Sequence, residues 1–221
     1  MLTAPQDRRA GVSMPRSSIN PRGLVAGLAA GLIAVTLVPP ARAQDEAPSQ
    51  SHEFLIMTPP EGWELAHQQR GRDMFVVQYV PPGETVEDWR QMVQAQVFLG
   101  VTGLEPNEFL DNMLELYRSN CDPVGAAPPE IRHVQGYAVS RRVLACGRNK
   151  GDNLGTVSLF KVIQGRDALY AINRAWRGPA FDPNRLPISK DMLERWAGFV
   201  AGVRLCDGRN PLAPCPTRRS Q

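Results

Sequence analysis

The chain is 221 residues long and carries 25 Lys and Arg against 22 Asp and Glu, a formal net charge of +3. Five arginines and one aspartate fall within the first 43 residues, so the rest holds 20 cations and 21 acids, a net charge of −1. That balance removes any argument from basic charge to nucleic-acid or anionic-membrane binding. The residues after position 43 number about 178, the size of one domain with a real core.

The first segment reads as an export signal. Arg8, Arg9, Arg16 and Arg22 form a basic flank, and Gly23 to Val38 is an uncharged apolar run. The run falls short of the roughly 20 residues that a spanning helix needs. Pro39 and Pro40 end it, and Ala41-Arg42-Ala43 offers small residues at −3 and −1 of a signal-peptidase site. Residues 1–43 are therefore expected to be a signal peptide cleaved near Ala43, giving a soluble periplasmic or secreted product without a stable membrane anchor. Met14 is an alternative start. Arg8-Arg9 permits a twin-arginine reading, but the long gap to the apolar run favours export as an unfolded chain.

Gln44 to His52 is polar and aperiodic, a disordered leader by composition. A single domain over residues 53–206 follows. Phe54 to Met57 reads as a short strand, Gly62-Trp63 as a turn whose aromatic plugs an edge of the core, and Asp73 to Val80 as a second strand closed by Pro81-Pro82-Gly83. Residues 86–98 fit either a helix, through Trp89, Met92, Val93 and Val97, or a strand, through the alternation of Val93, Ala95 and Val97; a strand from about Gln91 is preferred.

Pro106 to Asn120 repeats Phe109, Leu110, Met113, Leu114 and Tyr117 at helical spacing, with Asn107 available as a cap. Tyr137 to Cys146 alternates as a long strand with Arg141 and Arg142 on opposite faces. Thr156 to Ile163 and Ala168 to Trp176 pair through a Gln164-Gly165-Arg166-Asp167 hairpin. Ser189 caps a last helix with Met192, Leu193, Trp196, Phe199, Val200 and Val203 on one face. Residues 207–221 form a Pro-rich tail, pinned only by a disulfide. The expected class is α+β, an antiparallel sheet of about six strands flanked by two main helices.

All four cysteines, Cys121, Cys146, Cys206 and Cys215, follow the signal, and an even count in an oxidising compartment favours disulfides. Three pairings exist; Cys121–Cys146 and Cys206–Cys215 are preferred, the second because its Gly and two Pro make a compact loop plausible. No Cys-x-x-Cys is present, and His52, His67 and His133 complete no ligand set, so neither metal nor cofactor is expected.

Catalytic signatures are sparse. Gly-x-Ser-x-Gly is absent, and paired cysteines leave no thiol nucleophile. Glu84, Glu87 and Asp88 cluster before Trp89 as a solvated loop does. Gly147 to Gly151 lacks the Gly-Lys-Ser/Thr ending of a phosphate loop. The stretch Arg174-Ala175-Trp176-Arg177 is the most suggestive, because Arg174 and Trp176 share a strand face where guanidinium can stack on indole and present donors to a carboxylate or peptide. With Arg141 or Arg142 and Lys161 on neighbouring strands, it outlines a polar groove, although a purely structural stack is the common use of such pairs.

Gly62-Trp63, Tyr79-Val80-Pro81, Trp89, Cys121, Gly136-Tyr137, Cys146, Lys161, Asp167, Leu169-Tyr170, Arg174-Ala175-Trp176-Arg177 and Cys206-Asp207 together resemble a family of uncharacterised exported bacterial proteins. The arrangement is also similar to the PsbP-like sandwich of extrinsic, non-enzymatic subunits. The resemblance implies an accessory role and brings no catalytic residues. The expectation is a soluble periplasmic accessory or binding protein, non-enzymatic, with an envelope protein or peptide as the partner class and no nucleic acid. An enzyme of unrecognised type that uses an Arg-lined groove is the alternative.

Overall fold

The computed structural model describes residues 52–216. The signal segment, its cleavage site and the leader up to Ser51 lie outside the described residues. Over that range the chain forms β1 (Glu53–Ile56), β2 (Glu64–Arg70), β3 (Met74–Val80), β4 (Gln91–Leu99), α1 (Pro106–Asn120), β5 (Val124–Ala126), β6 (Glu130–Val134), β7 (Tyr137–Cys146), β8 (Leu154–Gln164), β9 (Ala168–Pro179), α2 (Lys190–Gly202) and β10 (Arg204–Asp207).

The class is α+β and antiparallel, but with ten strands in two sheets rather than about six in one. The main sheet runs β2-β3-β4-β9-β8-β7-β5, with β6 also paired to β7; β1 and β10 make a separate two-stranded ribbon. The four strands absent from the sequence reading, β2, β5, β6 and β10, are short or solvent-facing. Glu64–Arg70 and Glu130–Val134 are exposed along almost their whole length, so neither shows the apolar alternation that marks a half-buried strand. Their backbone hydrogen bonds to β3 and β7 make them strands regardless of side-chain pattern.

Each face of the sheet is covered by one helix. Leu110 and Leu114 of α1 pack on Leu144, Phe160, Val162, Leu169 and Ala171. Trp196 and Val200 of α2 pack on Val157 and Leu159 of the opposite face, where Leu205 of β10 joins Tyr137, Ile163, Tyr170 and Ile172. The alternation of β8 and β9 between these two clusters is the period-2 pattern of strands buried on both sides.

The two helices start differently. Ser189 caps α2 by accepting the Met192 amide at 3.2 Å. The capping position of α1 is Glu105 rather than Asn107, with Pro106 in the first turn, and the Asn107 side chain instead donates to Asp111 one turn on. Proline at the first helical position has no amide to satisfy, which leaves one fewer unpaired donor at the start of α1.

Both disulfides form as preferred, Cys121–Cys146 and Cys206–Cys215. The first joins the end of α1 to the end of β7 across 25 residues, a closure that contributes about 3 kcal/mol in the chain-entropy description. The second is not the tail's only tether. Asp207 and Ala213 are buried, the Asp207 amide donates to the Ala213 carbonyl at 2.8 Å, and Asn210 donates to the Gln135 carbonyl at 3.0 Å. No helix among the described residues is long and apolar enough to cross a membrane.

Candidate functional site

The five residues expected to line one groove are divided between the two faces of the sheet. Cross-strand partners share a face, and Lys161 lies opposite both Arg141 and Ile172. Arg141, Lys161, Arg174 and Trp176 therefore sit on the face covered by α2, while Arg177 points to the other. Arg142 is on the α1 side, donating to Asp111 at 2.8 Å. Trp176 and Arg177 line one recess at the end of β9 and Arg174 lines another, while Arg141 and Lys161 are already engaged.

Lys161 is buried under α2, and its Nζ donates to the carbonyls of Val200 and Val203 at the end of that helix. Helix carbonyls left without intrahelical partners need donors, and α2 has no basic residue of its own in its last turn. Lys161 supplies both donors from β8. Burial, helped by the nearby Arg141 charge, pushes its pKa down to about 8. Arg141 itself pairs with Glu130.

Trp176 does not stack on Arg174. Its indole folds over Gly178, where even a methyl group would meet the ring at 2.3 Å, and packs edge-on to Phe181 at 5.9 Å. Arg174 instead lies 3.9 Å from the centroid of Trp63 and 5.6 Å from that of Trp196. Trp63 is brought there by a turn in which its amide donates to the Pro60 carbonyl at 3.1 Å with Gly62 at φ 75°. A positive φ at the third position is the glycine requirement of a type II turn.

The Arg174 guanidinium is the uncommon group of this structure. The residue is 7% exposed, yet no carboxylate among the described residues lies within ion-pair distance. Nη2 donates to Gln91 Oε1 at 3.0 Å, and buried Nη1 has no hydrogen-bond partner among the described residues. Desolvation pushes its pKa down to about 10. An ion deprived of water without a counter-charge costs several kcal/mol.

This arginine lines a recess of about 410 Å³ between α2 and the start of β4. Met192, Arg195, Trp196 and Phe199 line it at the i, i+3, i+4, i+7 spacing of one helix face, and Pro60 and Gln91 complete it. Ser189 at one end and Lys161 at the other fix the register of that helix, so the wall is set by two contacts outside the recess. Neither a carboxylate nor a histidine lines it. His133 is on exposed β6, with β7 and β8 between it and β9.

Elsewhere, Asp167, Asp207 and Arg209 form a linked set. Asp167 and Asp207 are held below the usual carboxylate range by hydrogen bonds from Arg209, whose own pKa they raise. That network ties the β8–β9 hairpin to the C-terminal loop and is structural in its contacts. Among the described residues no group of three or more His, Cys, Asp or Glu is placed to hold a metal ion.

No family model matches the chain, and no curated protein matches it. Among solved structures, the chain is similar to a Pseudomonas aeruginosa protein of unknown function, at 15% identity and a TM-score of 0.35, over 76% of this chain and 100% of that one.

Proposed function

We propose that this protein is exported, cleaved near Ala43, and works in the periplasm or outside the cell as a non-enzymatic binding or accessory module whose ligand enters the recess at Arg174. The observation that carries the reading is the desolvated Arg174 guanidinium with an unpartnered Nη1 beside an open recess. A charge held this way is costly to the free protein, and an incoming anion offsets that cost. Recognition rather than turnover is favoured because the lining of the recess pairs no nucleophile with a base. The two disulfides and the export signal in the sequence support the compartment.

Two measurements test this. Mass spectrometry of the protein from its native envelope is expected to show an N-terminus at Gln44 and no alkylatable thiol; a retained signal or reactive cysteines would remove the compartment. Acetate and inorganic phosphate are expected to raise the melting temperature of the wild-type protein more than that of Arg174→Met. Equal responses would show that Arg174 receives no anion.

A further inference from the structure

Building on that reading of the recess, we infer that its ligand is a monoanionic carboxylate carried on an apolar body, with the carboxylate at the Arg174 guanidinium and the body along α2. Three features of the recess specify this class.

The guanidinium has one edge that is buried and has no hydrogen-bond partner among the described residues. Trp63 and Trp196 engage it through their π faces, and Gln91 holds Nη2, which leaves Nη1 to donate. A flat carboxylate meets such an edge with one oxygen. A phosphate carries more acceptor oxygens and greater charge, and proteins usually meet it with a bidentate fork plus backbone amides or a cluster of cations. Here the fork is half used, and the only other cation in the lining is the exposed Arg195.

The walls are apolar. Pro60, Met192, Trp196 and Phe199 supply most of the lining. A small hydrophilic acid would leave these surfaces wet, whereas an acyl or aromatic body removes them from water.

The size fits a ligand rather than a lone ion. A recess of about 410 Å³ falls in the range of small-molecule sites, roughly 300–1,000 Å³. Gln91 has a positioning role, because its acceptor holds the guanidinium in the orientation in which Nη1 has no partner among the described residues. Arg195, exposed in the lining, adds positive charge that attracts an anion without burying a second charge.

The test is a titration of the wild-type protein with acetate, butyrate, hexanoate and octanoate, and in parallel with octanamide, inorganic phosphate, and N-acetyl-phenylalanine and its amide, read by tryptophan fluorescence. Trp63 and Trp196 both contact Arg174, so occupancy is expected to change the emission. Affinity is expected to rise about three- to fourfold per added methylene until the recess is filled, as burial of one methylene predicts. Each amide is expected to bind at least tenfold more weakly than its acid. The ranking of octanoate against N-acetyl-phenylalanine separates an acyl chain from a peptide C-terminus as the source of the carboxylate.

Phosphate binding as tightly as octanoate would overturn this inference and leave an anion-binding recess in place. Octanamide matching octanoate would overturn it by removing the charge requirement. No saturable response to any acid or to phosphate would overturn both the inference and the reading beneath it. None of these comparisons requires a variant to fold.

Discussion

Arg174 and Arg177 lie three residues apart on β9, each against an indole and each beside a recess, yet they face opposite sides of the sheet and different fates. Arg177 stacks 5.0 Å from Trp89, donates to the Glu87 carbonyl at 2.8 Å and lies 3.8 Å from Asp88 beside a recess of about 350 Å³. Arg174 has two indoles and one amide, and no acid. The same residue type, strand and ring chemistry thus yields one completed surface cluster and one incomplete buried one. A cation–π contact alone does not separate a structural arginine from a receptor; the state of its remaining donors does.

The largest effect expected in breaking this comparison comes from the helix that walls only the Arg174 side. Lys161→Met leaves the Val200 and Val203 carbonyls without their donor and is expected to cost about 2 kcal/mol, measured by denaturant unfolding. The pH dependence sharpens the attribution. The folded pKa of Lys161 is about 8, below the ordinary lysine value, so between the two the unfolded chain holds more protons and wild-type stability rises with pH. Relative to Lys161→Met, the wild type is expected to gain on the order of 2 kcal/mol between pH 8 and pH 10. A constant gap would show that the buried ammonium does not titrate there.

Arg177→Met comes next, with an expected loss of about 0.5–1 kcal/mol and an unchanged response to acids, because its partners are completed and one of them, Asp88, is exposed. Arg174→Met is expected to change the stability of the free protein least, within about 1 kcal/mol, since the lost ring contacts are offset by the relief of an unpaired buried donor. A drop of several kcal/mol in thermal or denaturant unfolding would make Arg174 structural and erase the distinction from Arg177.

Much of this architecture was legible before the structure. The helix at Pro106–Asn120, the strand at Tyr137–Cys146 and the β8–β9 hairpin have strong periodicity or a clear turn, the strand at Gln91–Leu99 was the preferred of two readings, and the compact loop between Cys206 and Cys215 favoured that pairing among three. The exposed strands were hidden because pairing to a neighbour, not apolar alternation, defines them. Arg174 stood out as a strand arginine next to a tryptophan, but its surroundings could not be read from nearby residues. Trp63, Gln91 and Trp196 reach it from a turn, a strand start and a helix far apart in the chain, and Trp176, the adjacent candidate, is drawn away by Gly178. Trp63 carried one signal in the sequence, its position after Gly62 in a turn-forming stretch.

The most direct test of the contrast between the two arginines is a side-chain NMR titration that follows the guanidinium resonances of Arg174 and Arg177 during addition of octanoate. Saturable shifts at Arg174 with Arg177 unmoved are expected if only Arg174 receives the acid. Equal, non-saturating shifts at both, or movement at Arg177 alone, would contradict it.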